Sequence, residues 1–139
     1  MAKTLYLLDL DVLAELTRPN GNRRVVTLFA QRQSACALAA PALGVFLSGI
    51  ESLSENPRKL ALASFARELL RSGLPVLAFD REAALWLARE TARRAERRWS
   101  SLEGQQAAIA ATSDHVLITR ATAEYSGTAG LKIEDWFRP

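Results

Sequence analysis

TLYLLDLD (residues 4–11) runs five residues without a charge, stops at Asp9, and adds a second carboxylate at Asp11. A strand with one wet face alternates apolar and polar residues, whereas an unbroken run suits a strand buried on both faces, as in a parallel sheet. Further short runs of this kind follow at ACALA (35–39), PVLAF (75–79) and HVLIT (115–119), with LKI (131–133) as a short fifth. The segments between them carry helical spacing. Asp11 is placed to cap VLAEL, and RPNGN (18–22) is turn chemistry. Residues 23–33 would turn Val26, Phe29 and Ala30 inward. After Pro41 come Leu43, Phe46, Leu47, Ile50 and Leu53. Beyond SENP (54–57), residues 58–72 present Leu62, Phe65, Ala66, Leu69 and Leu70 until Gly73 and Pro75 stop them.

Asp80 occupies a cap position for a helix whose Leu85, Ala88, Ala92, Ala95 and Trp99 form a narrow seam. Ser100 and Glu103 have capping-box spacing, opening a helix to about Thr112. Strands alternating with helices predict a three-layer α/β/α domain over residues 1–139, built on a central parallel sheet of four to five strands.

With 139 residues and 49% hydrophobic content, the chain can bury one real core, and 24% charge argues against disorder. Its apolar runs fall short of the ~18–20 residues of a membrane span. MAKTLYLLDLD carries only Lys3 and is interrupted by Asp9, unlike a secretion signal, so a cytoplasmic location is expected. Cys36 is the one cysteine and His115 the one histidine, which excludes an internal disulfide and His- or Cys-rich metal sites. Cys36 reads as a small buried hydrophobe. The net charge of +3 is concentrated in RETARRAERR (89–98), where five arginines face Glu90 and Glu96.

In a parallel α/β sheet, ligands sit outside the carboxyl ends of the strands. Asp9 and Asp11, the 40–44 segment, Asp80 and the residues from Arg120 onward lie there. Two carboxylates two residues apart at a buried strand end suggest a divalent-cation site, since hard cations draw several carboxylate oxygens together. The bland alternative makes Asp11 a helix cap and Asp9 an acceptor for loop amides. Asp80 reads as a cap.

YLLDLDVLAELTRP (6–19) resembles the opening of PIN domains of the VapC/FitB toxin group, usually LLDTNVLSE-x-x-RP. LGVFLSGIESL (43–53) is similar to that family's GEL-x-x-GI helix, VLAFD (76–80) to its LPFD strand, and AAIAATS (107–113) to its D-x-x-IAATA helix. LITRATAEY (117–125) resembles VTRN-x-x-DF, and IEDWF the terminal NPW. The blocks fall in order across nearly the whole chain. The resemblance implies a small homodimeric ribonuclease dependent on Mg²⁺ or Mn²⁺, the toxin of a toxin–antitoxin pair whose antitoxin binds DNA. Its carboxylates would hold one or two cations that activate water against a phosphodiester.

Carried over residue by residue, that site is depleted. The family's first Asp is Asp9, its T-N is Leu10-Asp11, and the Asp of DF is Glu124. The Glu of GEL falls on Val45, the Asp before IAAT on Gln106, and the Asn or Asp of TRN on Ala121. Three residues are also missing between Thr112 and the last strand of the motif series. Val45 lies off the apolar stripe of its helix, on the side of Gly49 and Ser52. Losing these charges weakens a hard-cation site steeply. Two functional readings follow. One is a binding protein with weak or no nuclease activity that keeps dimerisation and contacts to antitoxin or RNA. The other is an active nuclease using Asp9, Asp11, Glu103 and Glu124, with Glu103 one helical turn before Gln106. A dimeric scaffold is a third.

Arg89, Arg93 and Arg97 share one helical line, and Arg94 and Arg98 the next. This stripe could bind an RNA backbone or an acidic antitoxin segment, or be a solvated face. Trp86 and Trp99 read as core or dimer contacts, and Trp136 as packing.

Overall fold

The computed structural model describes residues 3–94 and 98–139. Strand β1 (Tyr6–Leu8) is central in a five-stranded sheet in which every pairing is parallel. On one side it pairs with β2 (Cys36–Ala39), which pairs with β3 (Val76–Leu77). On the other it pairs with β4 (Val116–Ile118), followed by β5 (Lys132–Glu134), so the order is β3-β2-β1-β4-β5. Leu7, opposite Ala37 and Leu117, has no accessible surface, and neither does Leu8. Burial on both faces is the reason the run before Asp9 has no alternation.

Helices α1 (Leu10–Leu16), α2 (Arg23–Arg32), α3 (Ala40–Glu51) and α4 (Pro57–Arg71) connect β1, β2 and β3. Leu8, Leu38 and Ile118 pack with Val12, Val25, Phe46, Ala66 and Leu69 in one core. The chain then crosses back through α5 (Arg81–Arg93) and α6 (Ser101–Thr112) to β4, and reaches β5 through the short α7 (Thr122–Tyr125). The opposite sheet face forms a second core, with Leu7, Ala37, Ala39 and Leu117 against Ala83, Ala107, Ala108 and Tyr125. Its alanines let α6 lie close on the sheet, because a methyl group is all that separates the backbones there. The direction of strand addition reverses between β1 and β4, and the crevice outside their carboxyl ends is the fold's natural ligand position.

Local signals explain most boundaries. Asn22, Asn56, Asp80 and Ser100 each accept a backbone N–H in the first turn of the helix they precede. Ser100 and Glu103 form the full capping box. Gly73, at φ +81°, takes the left-handed conformation that ends α4. Ser100→Ala should cost about 1 kcal/mol and lower the thermal midpoint by a few degrees, read by circular dichroism.

Four expectations need correction. The cap of α1 is Asp9, not Asp11, because Asp9 keeps extended backbone and accepts the Val12 N–H at 2.9 Å. The inward face of α2 is Val25, Leu28 and Phe29, so Val26 and Ala30 point outward. On α5 the buried line is Ala83, Trp86, Leu87 and Glu90, which packs on α6, and Leu85, Ala88 and Ala92 face solvent. Ala95 lies outside the described residues. The third strand is only two residues long, since it is an edge strand leaning on β2 alone. Among the described residues, no helix is long and apolar enough to cross a membrane.

Candidate active site

Asp9 stands immediately beyond β1 with 4% of its surface exposed. One carboxylate oxygen accepts the Val12 N–H, and the Thr119 side chain, just past β4, also hydrogen-bonds it. Thr119 is fully buried, and its Oγ1 accepts the Ala121 N–H at 3.0 Å. Burial pushes the Asp9 carboxyl up from an ordinary 3.8 to about 6. The Thr119 and Val12 hydrogen bonds pull the other way, and the Asp11 charge adds to the rise.

Gln106 approaches from α6. Its side chain is 3% exposed, and Oε1 accepts the Leu10 N–H at 3.1 Å, the amide next to Asp9. This places the carbonyl oxygen of Gln106 on the first turn of α1, where α1 has backbone donors to satisfy. Tyr125, on α7, is buried beside it. Desolvation raises the phenol's affinity for its proton, and Asp9, Glu103 and Asp11 all add to that rise, while a hydrogen bond with Gln106 opposes it.

Asp9 and Asp11 stand at the carboxyl end of β1, and Gln106, on α6 one turn after Glu103, bonds to the Leu10 amide between them. Glu103 is committed to its capping box through the Ser100 N–H at 2.8 Å. Glu124 is partly buried on α7, and its carbonyl oxygen accepts from Arg94 and Trp99. Val45 is 48% exposed on α3, off the core as its spacing implied, and α3 packs against both α1 and α6. Thr119 and Tyr125 received no role from the sequence. Thr119 closes a buried apolar run, but only the pairing of β4 with β1 puts it beside Asp9.

A hard divalent cation needs several charged oxygens on one point. Here one carboxylate is desolvated and capped onto a helix, the amide oxygen of Gln106 is committed to a backbone N–H, and positions 45 and 121 offer only hydrocarbon. Among the described residues, no three His, Cys, Asp or Glu side chains converge to hold a metal ion. At positions 9, 106, 45 and 121 the chain thus offers one buried carboxylate, one bonded amide and two hydrocarbon side chains.

The arginine stripe divides. Arg89 is exposed. Arg93 donates to the Glu90 carboxylate, through Nε at 3.1 Å, and to the Gly127 carbonyl at 2.9 Å. Arg94 donates to the Glu124 carbonyl at 2.9 Å and to Thr128 Oγ1, with its guanidinium 4.1 Å from the centre of the Trp99 ring. Trp99 Nε1 donates to the same Glu124 carbonyl at 2.8 Å and its ring lies parallel to that of Trp86. These donors hold α7, and with it Tyr125, against the end of α5. Arg97 lies outside the described residues. Trp136 is fully buried, edge-on to Tyr6, and Cys36 is a buried thiol pushed up to about 12 by desolvation.

No family model matches the chain, and no curated protein matches it by sequence. Solved structures do. One chain of FitAcB from Neisseria gonorrhoeae superposes with a TM-score of 0.81 at 22% identity, covering 97% of this chain and 100% of that one. DNA-bound VapBC from Salmonella typhimurium gives 0.80 at 23% identity, over 96% and 98% of the two chains. VapBC-1 from nontypeable Haemophilus influenzae gives 0.77 at 19%, over 97% and 100%. The chain has the PIN-like α/β/α fold found in these toxin–antitoxin complexes.

Proposed function

We propose that the chain is a single-domain PIN homologue of the VapC/FitB ribonuclease toxins whose acid cluster no longer supports efficient metal-dependent cleavage. It keeps the fold's other work, self-association as a homodimer and capture of an antitoxin-like protein or RNA. One observation carries the reading: Gln106, where the resemblance expects an aspartate, is buried with its oxygen bonded to the Leu10 amide. The ordered motif blocks and the superposition along the full chain support the parentage. Val45 and Ala121, with no charge to offer, support the loss.

The residues left have a definable role without a cation. Asp9, Thr119 and Gln106 satisfy the amides of Val12, Ala121 and Leu10, so the segment leaving β1 is tied to α6 and the one leaving β4 is turned on itself. The charges of Asp9, Asp11 and Glu103 around Tyr125 keep the crevice negative, which disfavours approach of an RNA phosphate unless a cation screens it. The functional test is cleavage of a mixed RNA substrate by the purified chain with Mg²⁺ or Mn²⁺. No cleavage above the level of Asp9→Ala is expected. Metal-dependent cleavage abolished by Asp9→Ala, and also by Asp11→Ala or Glu124→Ala, would favour the rearranged site of Asp9, Asp11, Glu103 and Glu124. Light scattering should give the mass of a dimer.

A further inference from the structure

Arg23 and Arg24 open α2, and both side chains are exposed. Neither has a hydrogen-bond or ion-pair partner among the described residues. The first turn of a helix is the positive end of its dipole, where carboxylates are favoured and cations repelled. Asp11, Glu82 and Glu103 follow that rule on α1, α5 and α6, whereas the first turn of α2 carries no acid. Two unpaired guanidiniums there work against the fold, and such a local misfit is expected where side chains serve a function instead.

Both line a shallow concavity of about 530 Å³ on the outer face of α2, with Thr27, Leu28 and Gln31. No carboxylate is among its described lining residues. Further guanidiniums meet the same end of α2. Arg58 donates to the Thr17 carbonyl at 3.2 Å, which sets it beside Arg18 in the loop leading into α2. Asn22 Nδ2 donates to the Phe137 carbonyl at 3.2 Å, and the Arg120 guanidinium lies 3.9 Å from the centre of the Phe137 ring. Arg18, Arg58 and Arg120 are all exposed. The acids that these contacts bring near are already engaged. Glu15 accepts from Arg18 and the Asn22 amide, Glu55 from Lys59, and Asp135 from the Phe137 amide.

We propose that the arc formed by Arg18, Arg23, Arg24, Arg58 and Arg120 docks the phosphodiester backbone of a single-stranded nucleic acid, with no cation involved. Guanidinium forks match phosphate oxygens, and a strand presents one such charge per nucleotide. An acidic peptide fits less well, because protein partners bury an apolar centre. The concavity offers only Leu28, which is 8% exposed. Interfaces to nucleic acids are instead polar and strongly positive, as this surface is. Arg120 follows Thr119, the hydrogen-bond partner of Asp9, so the arc starts beside the acid crevice without using it. This deepens the capture of RNA proposed above and rests on that reading.

The test is fluorescence anisotropy of short labelled oligo(U) and oligo(dT) with the full chain in EDTA, from about 50 to about 200 mM salt. Oligo(U) should bind, with log K falling against log salt at a slope of about −2 or steeper. The double variant Arg23→Glu, Arg24→Glu should lose at least about tenfold in affinity and flatten that slope by about 1. It should melt no lower than the parent, since it places acids in the first turn of α2. Arg89→Glu, an exposed arginine of α5 on the opposite face of the sheet, should leave binding unchanged. Equal binding of the two strands supports a backbone dock, whereas binding of oligo(dT) alone would keep the surface and overturn the capture of RNA. No binding of either strand would overturn both. Binding of oligo(U) that survives unchanged in the double variant would overturn the surface alone. Equal losses in Arg89→Glu, a lowered thermal midpoint of the double variant, or a poly-glutamate peptide that displaces the strand as well as unlabelled RNA does would also overturn the surface.

Discussion

The triple variant Val45→Glu, Gln106→Asp, Ala121→Asn is expected to bind Mn²⁺ with a Kd below about 1 mM, at least tenfold tighter than the parent chain, and to cleave RNA when the metal is present. Two of the changes add a carboxylate and the third adds an amide oxygen, all at positions that the resemblance aligns with the acid site of Asp9. Val45 is exposed on α3, so a glutamate there meets no core packing. Gln106→Asp is the costly step. It shortens the side chain that accepts the Leu10 N–H and leaves that amide needing water or the new cation. Metal should therefore raise the thermal midpoint of the triple variant more than that of the parent, by the mass-action stabilisation any native-state ligand gives. A folded triple variant that binds no cation would mean that the register linking these positions to the acid site is wrong.

Asp9→Asn should stabilise the protein at neutral and alkaline pH. A carboxyl raised from 3.8 to about 6 on folding takes up protons between those values. Its favourable contribution is full below pH 3.8 and is lost as pH rises through about 6, leaving a charged, desolvated group at pH 8. At 1.36 kcal/mol per pKa step, that cost is on the order of 3 kcal/mol, and asparagine removes it while its oxygen still accepts the Val12 N–H. Thermal or urea unfolding should show the Asn variant several degrees more stable at pH 8, with the advantage gone by about pH 4. An Asn variant less stable at pH 8 would show that the carboxylate is instead compensated by a positive charge, as a resident cation would provide.

The sheet was legible because burial on both faces writes itself as unbroken apolar runs, and Asp80 and the Ser100–Glu103 pair were legible because caps have fixed spacing. The faces of α2 and α5 were not. Both helices carry small or apolar residues on more than one side, and only the partner surface, the core under α2 and α6 against α5, selects Val25 over Val26 and Leu87 over Leu85. The cap of α1 was misplaced by two residues for a similar reason: both Asp9 and Asp11 satisfy the local rule, and the end of β1 decides between them. The participation of Thr119 and Tyr125 depends on β4 lying beside β1, a contact between residues more than a hundred positions apart that no local pattern encodes. The arginine stripe looked like one cationic face on a helical wheel, but α5 ends at Arg93, and Arg93 and Arg94 donate to the α7 segment.

A calorimetric titration of Mn²⁺ into the parent chain at neutral pH, run beside Asp9→Ala, reaches the question with fewest intermediates. Traces for both proteins that are flat and superimposable at low-millimolar metal are what a crevice with too few charged oxygens predicts. A saturable, roughly one-to-one isotherm in the parent that vanishes in Asp9→Ala would contradict it.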